Sequence, residues 1–297
     1  MSVATGVWRV GRGEARYPDA LRDLADRAPE VLHGCGDPGL LEVKPGETVT
    51  IVGARRATAY GLEVAERMGR DLASCGLTVV SGMAYGIDSA ALRGAVAEGG
   101  RAIAVLGGGP DVVYPAIASR LYRRIVEAGA TVSEWPSGTK PHARYFPRRN
   151  RIMAALAGMT VVVEAMRPSG SLITAEQASG LGRTVGAVPG PVTSALSEGT
   201  NHLLFDGASV VRDAQDVLDE LVGVGRRSVR RTGPPLEPAL ARVLTLVEGG
   251  AATCDALTVA SGASPREVAV GLAQLELMGY LRADAGGRYV RTALTPP

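Results

Sequence analysis

The chain has 297 residues, of which 46% are hydrophobic, and a formal net charge of +2 at pH 7. That length and apolar content can build a full hydrophobic core and a second small domain. No apolar run reaches the roughly eighteen residues of a membrane span, and the N-terminus lacks the pattern of a signal peptide, so we expect a cytoplasmic protein. The three cysteines are widely spaced and indicate neither a disulfide framework nor a metal cluster.

From residue 48 onward, short β-branched runs alternate with glycine-rich corners and amphipathic stretches. Strands that are apolar on both faces and alternate with helices are typical of a parallel sheet covered on both sides. The pattern therefore predicts an α/β fold with an extended Rossmann-like, doubly wound and mostly parallel sheet. The predicted strands are 48–52, 77–80, 101–106, 131–133, 161–163 and 184–188, and the helices between the first of them are 62–75, 87–98 and 116–128.

The corners after these strands should all lie at one edge of the sheet, where such folds bind their ligands. They are residues 53–56, 81–82, 107–109, 164–171 and 189–190. Glycine lets backbone N–H groups approach phosphate oxygens, and serine or threonine hydroxyls can add donors. For one corner alone, tight-turn geometry explains the glycine as well. Five corners together with Arg55 and Arg56 predict an extended anion-binding face.

The strongest charge signal is the segment 140–151, which holds five cationic side chains and two aromatic ones but no acid. In a nearly neutral protein, cations this concentrated favour a polyanionic partner. Residues 152–157 continue as a helix, and Pro147 fits its first turn, where no N–H is needed. The arginines would then add to the positive pole of that helix. The alternative interpretation is a solvated arginine-rich loop.

A different pattern begins near residue 236, after a basic linker at 223–235 with Arg226, Arg227, Arg230 and Arg231. Residues 238–248, 254–261 and 265–278 predict three short helices, and 281–290 predict a hairpin that turns at 286–287. Three helices and a hairpin indicate a small C-terminal winged-helix domain. Its presumed recognition helix has only Arg266 as a cation, which favours a weak DNA contact or a protein-docking role.

The sequence contains neither the G-x-G-x-x-G nor the G-x-x-x-x-G-K-[ST] phosphate-binding motif in a suitable place. Ordinary dinucleotide and ATP sites are therefore disfavoured, and the three scattered histidines do not form a metal-binding pattern. We expect no cofactor and no catalytic residues.

Several blocks resemble the DNA-processing protein A family (DprA). The segment F-P-x-R-N-R-I is highly specific for it, and the resemblance extends in order over roughly residues 14–222. Two positions depart from the family pattern, since Tyr85 stands where arginine is usual and Leu92 where histidine is usual. The matching blocks are 51–56, 59–61, 80–84, 86–88, 107–109, 114–115, Glu134, 146–152, 163–165, 169–175, 187–190 and 199–201.

The resemblance implies a dimeric, single-stranded DNA-binding protein that protects incoming DNA, displaces the single-strand-binding protein and loads RecA in natural transformation. It implies no enzymatic activity. Family members often carry an N-terminal domain of the sterile-alpha-motif type, for which residues 1–45 are too short, so we expect an extension that packs on the core. The Rossmann-like DNA-binding domain would then occupy 46–222, the linker 223–235 and the winged helix 236–297.

Family analogy and local chemistry together predict the DNA-binding residues. Arg55 and Arg56 would clamp phosphates, with Gly53, Ser81 and Gly82 as a backbone cradle. The cations of the groove would be Lys140, Arg148 and Arg149, and the cradle would be ordered by Asn150 and Arg151. The facing corner would be formed by Ser169, Gly170, Ser171 and Thr174. Tyr85, Tyr145 and Phe146 are candidate stacking surfaces.

A rival interpretation is a phosphoribohydrolase-like nucleotide enzyme of related Rossmann fold. The segment 168–176 is similar to the P-G-G-x-G-T-x-x-E motif of those enzymes and would offer Glu176 as the catalytic acid. Its threonine is one residue out of register, and one glycine is missing.

Overall fold

The computed structural model describes residues 6–97, 99–229, 231–284, 286–292 and 294–296. The chain divides into two compact units with the boundary between Arg227 and Ser228. That boundary falls inside the predicted linker, whose Arg230 lies outside the described residues, as does Glu98 at the predicted end of the second helix. In the described part of the chain, no helix combines the length and apolarity that crossing a membrane requires.

The first unit is built on a nine-stranded sheet with the order β1-β2-β6-β5-β4-β3-β7-β8-β9. The seven strands β3 to β9 are parallel to one another, and β2 runs antiparallel to both β1 and β6. The strands are β1 Trp8–Gly11, β2 Val31–Gly36, β3 Thr48–Val52, β4 Thr78–Ser81, β5 Ala102–Val105, β6 Ala130–Ser133, β7 Met159–Val162, β8 Thr184–Ala187 and β9 Ser209–Val210.

The strands β1 and β2 come from the segment before residue 46, where the sequence predicts only an extension. They add an antiparallel edge to β6, with His33 opposite Ser133. Trp8 lies across Gly34, where a Cβ would collide with the indole ring, and its Nε1 donates to the Gly36 carbonyl at 2.9 Å. The apolar side chains of this segment, including Tyr17, Leu21 and Leu32, join the core of the sheet.

The helices of this unit cover both faces of the sheet. The helices α1 and α2 pack against each other and against β4, whereas α4 lies beside α5 and crosses β3, β4 and β5. The helices are α1 Ala59–Ser74, α2 Ile87–Ala95, α3 Ser119–Ala128, α4 Tyr145–Leu156, α5 Gly170–Gly180, α6 Glu198–Phe205 and α7 Ala214–Val222.

Two buried threonines hold α4 in place on the sheet. The hydroxyls of Thr48 and Thr50, both on β3, donate to the carbonyls of Leu156 at 2.6 Å and Met153 at 2.8 Å. The last carbonyls of a helix lack partners within the helix, so these bonds satisfy them in a dry environment. The two bonds fix where the basic segment at the start of α4 meets the carboxyl ends of the strands.

The second unit contains the helices α8 Pro238–Glu248, α9 Cys254–Ser261 and α10 Pro265–Leu277, followed by the antiparallel strands β11 Leu281–Ala283 and β12 Tyr289–Arg291. A further short pair joins β10 Arg231–Thr232 to β13 Leu294–Thr295. Ser264 and Glu267 form a reciprocal cap at the start of α10, as the Ser-Pro-Arg-Glu sequence permits. The predicted winged-helix architecture and the predicted mostly parallel α/β sheet are both confirmed.

Candidate nucleic-acid interface

The sheet has a topological switch point between β3 and β7. From β3 the parallel strands continue through β4 and β5 in one direction and through β7 and β8 in the other. The loops that follow β3 and β7 therefore diverge, and a crevice opens between them. A cleft of about 560 Å³ occupies this place and is lined on its walls by the residues after β3, the start of α4 and the start of α5.

The wall after β3 is held by Glu164, a buried residue beyond β7. Its carboxylate accepts hydrogen bonds from the Thr58 backbone N–H at 2.9 Å and from the Thr58 hydroxyl at 2.6 Å, and its carbonyl accepts from the Ala54 N–H at 2.7 Å. Because the loop is fixed at both ends, the exposed side chain of Arg55 is held at the cleft. Gly53 leaves no room for a Cβ, which would lie 2.7 Å from Ile87.

Arg149 lies at the bottom of the cleft and is only 4% exposed. Its guanidinium donates to the carbonyls of Gly82 and Val105 and lies 3.6 Å from the Asp88 carboxylate. Burial raises the pKa of Asp88 and lowers the pKa of Arg149 to about 10, since for each group the loss of hydration outweighs the attraction between them. Arg149 therefore stays charged at neutral pH, and its Nε is buried with no hydrogen-bond partner in the described structure.

Gly82 is required by this arrangement. A Cβ at this position would overlap the guanidinium of Arg149. The residue thus serves to admit the arginine side chain between the ends of β4 and β5. The neighbouring Ser81 is fully buried, and its hydroxyl donates to the Ile51 carbonyl at 2.6 Å, which leaves it inside the sheet rather than at the cleft surface.

Arg151 and Arg148 both contact Glu134, which follows β6. Arg151 is buried and binds both carboxylate oxygens of Glu134 at 2.9 Å, while its Nε donates to the Arg27 carbonyl at 2.7 Å. Arg148 is 57% exposed, lies 3.2 Å from the same carboxylate, and covers the Trp135 ring. The pair orders the first turns of α4, and neither side chain lines the cleft.

The opposite wall is the start of α5. Ser169 precedes the helix but does not cap it, because its hydroxyl lies 2.7 Å from the Ser171 hydroxyl. The first N–H groups of α5 thus lack a cap from Ser169, and a helix start of this kind attracts anions. The Asn150 amide donates to the Gly170 carbonyl at 3.1 Å and ties this wall to α4. Thr174 is buried behind it.

Aromatic side chains flank the cations of the cleft. The guanidinium carbons of Arg55 and Arg149 lie 5.5 and 5.9 Å from the centre of the Phe146 ring, and Tyr114 tilts against Phe146 with 5.6 Å between ring centres. Tyr85 and Tyr114 are each about half exposed. Tyr145 instead stacks on Trp135 at 3.9 Å, outside the cleft.

The structure brings about half of the predicted site residues into one cleft. The residues that line it are Gly53, Arg55, Arg149, Asn150, Ser169, Gly170, Ser171 and Thr174. Gly82 lines a smaller adjoining pocket, and Arg56 lines a groove on the far side of Arg55. Lys140 is exposed beside the cleft without lining it. The DNA contacts themselves stay predictions for all of these residues.

Sequence reasoning did not predict the roles of three acidic residues. Asp88 and Glu164 are buried and hold Arg149 and Thr58, and Glu134, whose side chain is only 8% exposed, holds Arg151. The sequence offers one signal for them, which is an acidic residue directly after an apolar strand or glycine corner. Tyr114 was also missed as an aromatic surface of the cleft.

The chain resembles known proteins over both units. The family model for DNA recombination-mediator protein A matches residues 8–222, and the model for the DprA winged helix domain matches residues 229–287. A putative DNA processing protein DprA from Mycobacterium tuberculosis is 43% identical over 265 residues, which are 87% of this chain and 68% of that protein. The DNA processing protein DprA of Streptococcus pneumoniae is 41% identical over 69% of this chain and 71% of its own length.

Two solved structures share the fold. The X-ray structure of DNA processing protein A from Streptococcus pneumoniae superposes with a TM-score of 0.67 at 38% identity, covering 74% of this chain and 75% of that one. DNA processing protein A from Helicobacter pylori, studied for its unique single-stranded DNA binding mode, gives 0.66 at 28% identity and covers 75% and 98%. With a family model matched from β1 to the end of α7 and relatives above 40% identity, this chain belongs to the DNA recombination-mediator protein A family.

Proposed function

We propose that the cleft at the switch point binds single-stranded DNA and that the protein acts as a mediator of DNA recombination. The observation that carries this proposal is the arrangement of Arg55 and Arg149 across from the start of α5, where Ser169 and Ser171 lie and Ser169 provides no cap. Guanidinium groups and helix N–H groups both bind phosphate. The buried guanidinium of Arg149 adds positive charge at the bottom of this site.

The aromatic side chains favour a single strand over a duplex. Tyr114 and Phe146 line the cleft beside the cations, Tyr85 lines the adjoining pocket, and the two tyrosines expose about half of their surface. A stacking surface inside a concave cleft can reach only bases that are unpaired, and such stacking tolerates any sequence. We therefore expect little base specificity.

The test is a comparison of labelled single-stranded and duplex oligonucleotides of the same length, measured by fluorescence anisotropy over a series of salt concentrations. Tight binding of the single strand that weakens with salt, by about 0.7 in log–log slope per phosphate contact, supports the proposal. Equal affinity for the duplex, or binding that does not depend on salt, overturns it.

The finer role follows the family. We propose that the protein works as a homodimer in the cytoplasm, protects incoming single strands, displaces the single-strand-binding protein and loads RecA during natural transformation. Membership of the recombination-mediator family supports this role. Measuring RecA filament formation on DNA covered by the single-strand-binding protein tests it, and filaments that form equally fast with and without this protein would count against it.

A catalytic role in nucleotide hydrolysis has less support. Glu176, the acid that such a role would use, is exposed on α5 and does not line the cleft. The carboxylate that does line it, Asp88, is paired with Arg149. We propose that the protein acts by binding alone, and release of a base from nucleoside monophosphates by the purified protein would overturn this.

Removal of the winged-helix unit should leave short-strand binding nearly intact. The cleft lies wholly in the first unit, and α10 carries only Arg266 as a cation against Glu267 and Glu276. A chain that ends after Arg227 keeps the whole first unit, including the bond from Gln215 to the Arg227 carbonyl at 2.9 Å. We expect its affinity for a short single strand to stay within about threefold of the full chain.

We expect the binding of long DNA to fall further, because the truncated chain lacks any contact that the second unit adds to the same strand. Circular dichroism and sedimentation provide the controls for folding and for oligomeric state. A folded truncated chain that has lost short-strand binding would place essential phosphate contacts in the second unit.

A further inference from the structure

A second basic groove opens on the far side of Arg55. It has a volume of about 680 Å³ and lies between the loop before α1, the outer face of α2 and the start of α3. Five arginines line it and no acidic residue does; they are Arg55, Arg56, Arg93, Arg120 and Arg124. Neither the fold nor the proposed single-strand cleft requires cations at this place.

Part of this charge is already compensated. Arg93 lies 2.9 Å from Glu66, and Arg124 donates to the Val96 carbonyl at 2.6 Å, near the end of α2. Arg56 and Arg120 are exposed, and neither forms an ion pair with any residue that the structure describes. The groove thus keeps uncompensated positive charge on two opposite walls, which favours an anionic occupant.

The groove is continuous with the single-strand cleft. Arg55 lines the groove, the cleft and the small pocket between them, and Tyr85 and Pro115 line both the groove and that pocket. The half-exposed ring of Tyr85 therefore lies at the junction, at a position where the family pattern predicts arginine. A polyanion that leaves the cleft past Arg55 meets the groove next.

The apolar part of the groove fits unpaired bases. Ile117 is 82% exposed at its rim, and Leu62 and Leu121 line its floor together with Tyr85. Exposed apolar side chains beside uncompensated arginines suit a ligand that has both a charged backbone and flat apolar faces. A single strand has both, whereas a duplex hides its base faces.

We propose that the groove between α2 and α3 is a second track for the same single strand, so that the binding site extends from the cleft past Arg55 and Tyr85 to Arg120. This inference rests on the proposed function, because it extends that site. It predicts that a strand long enough to reach Arg120 gains affinity and salt dependence that a shorter strand filling only the cleft does not.

The test uses the full chain, two strand lengths and a matched pair of variants on one helix. Arg120 and Arg123 are both exposed on α3, but only Arg120 lines the groove. We expect Arg120→Glu to weaken a strand of about twenty nucleotides by about fivefold or more and to lower its salt slope by about 0.7, while a strand of about six nucleotides binds as before. Arg123→Glu, with the same change of charge, should leave both strands within about twofold.

Ile117→Glu provides a second variant at an exposed position, where a folding defect is not expected, and it should repeat the Arg120→Glu pattern. Equal affinity of wild type and both groove variants for the long strand overturns the inference. So does an equal loss from Arg120→Glu and Arg123→Glu, which would indicate only long-range charge. An acidic peptide with leucine side chains tests the other kind of occupant. If the peptide binds the wild type but not Arg120→Glu, and if it does not compete with the long strand, the groove is a protein-docking site and the inference is wrong.

These outcomes differ from a failure of the proposed function itself. If the cleft does not bind DNA, the wild type binds neither strand and no variant changes that. If the cleft binds DNA and the groove does not, the short and long strands bind the wild type and the groove variants alike.

Discussion

Replacing Arg149 by methionine should lower the free energy of unfolding of the first unit by about 3–5 kcal/mol. The substitution leaves the buried Asp88 carboxylate without its cation and leaves the carbonyls of Gly82 and Val105 without the donor that now satisfies them. An uncompensated buried charge is among the few causes that make a single substitution this costly. The arginine lies in the segment that suggested DNA binding, yet we expect its loss to be felt first in stability.

Tryptophan fluorescence during urea unfolding measures this effect in the right unit. The two tryptophans of the chain, Trp8 and Trp135, both lie in the first unit, so the signal does not report the winged helix. Arg148→Met is the matched control, because its side chain is 57% exposed and its pair with Glu134 should contribute less than about 1 kcal/mol. An Arg149→Met protein within about 1 kcal/mol of the wild type would contradict the assigned role.

A double variant separates the pair from the packing. If Asp88→Asn is added to Arg149→Met, the buried negative charge is removed and part of the lost stability should return. A double variant that is less stable than either single variant would show that the charge pair does not carry the effect. Because Arg149 is expected to stabilise the fold, DNA binding measured on a joint alanine variant of Arg148 and Arg149 would not separate a loss of folding from a loss of DNA contacts.

Replacing Arg55 by alanine should weaken single-strand binding by about 10- to 100-fold, as expected for the loss of about 1.5–3 kcal/mol from charge-assisted hydrogen bonds. Arg55 is exposed and lines the cleft, the adjoining pocket and the second groove, so every path of the strand passes it. Because the backbone of its loop is held through Glu164, the substitution should leave the fold intact.

Two further variants define what Arg55 does. Arg55→Lys keeps the charge but loses the planar fork, so it should keep the salt slope of the wild type and recover only part of the affinity. Arg123→Ala, on an exposed arginine that lines neither cleft nor groove, should bind as the wild type does. Anisotropy titrations over salt measure both quantities, and full affinity of Arg55→Ala would remove this residue from the site.

Local sequence signals predicted most of the parallel sheet and the three helices and hairpin of the winged helix, but not the short pair of β10 with β13. The predicted helices 238–248 and 254–261 begin and end where α8 and α9 do, and the predicted strand 48–52 coincides with β3. These elements are fixed by apolar periodicity, prolines at helix starts and glycines at helix ends, which act within a few residues. The strands β1 and β2 were missed, because they are short and contain glycine, and because their pairing depends on β6, which lies about 100 residues further along the chain: β2 pairs with β6, and β1 pairs with β2.

The sequence by itself determined that cations, glycines and hydroxyls gather at the carboxyl edge of a parallel sheet, since strand direction and loop composition are both readable in the chain. Only the tertiary structure decided which of them face a ligand. Arg148, Arg149 and Arg151 look alike in the sequence, but the helical phase of α4 buries Arg149 against Asp88 and Arg151 against Glu134, and leaves Arg148 exposed. The second groove could not be predicted from the sequence either, because its arginines are far apart in the chain. Such separate charges form a site only when packing brings them to one surface.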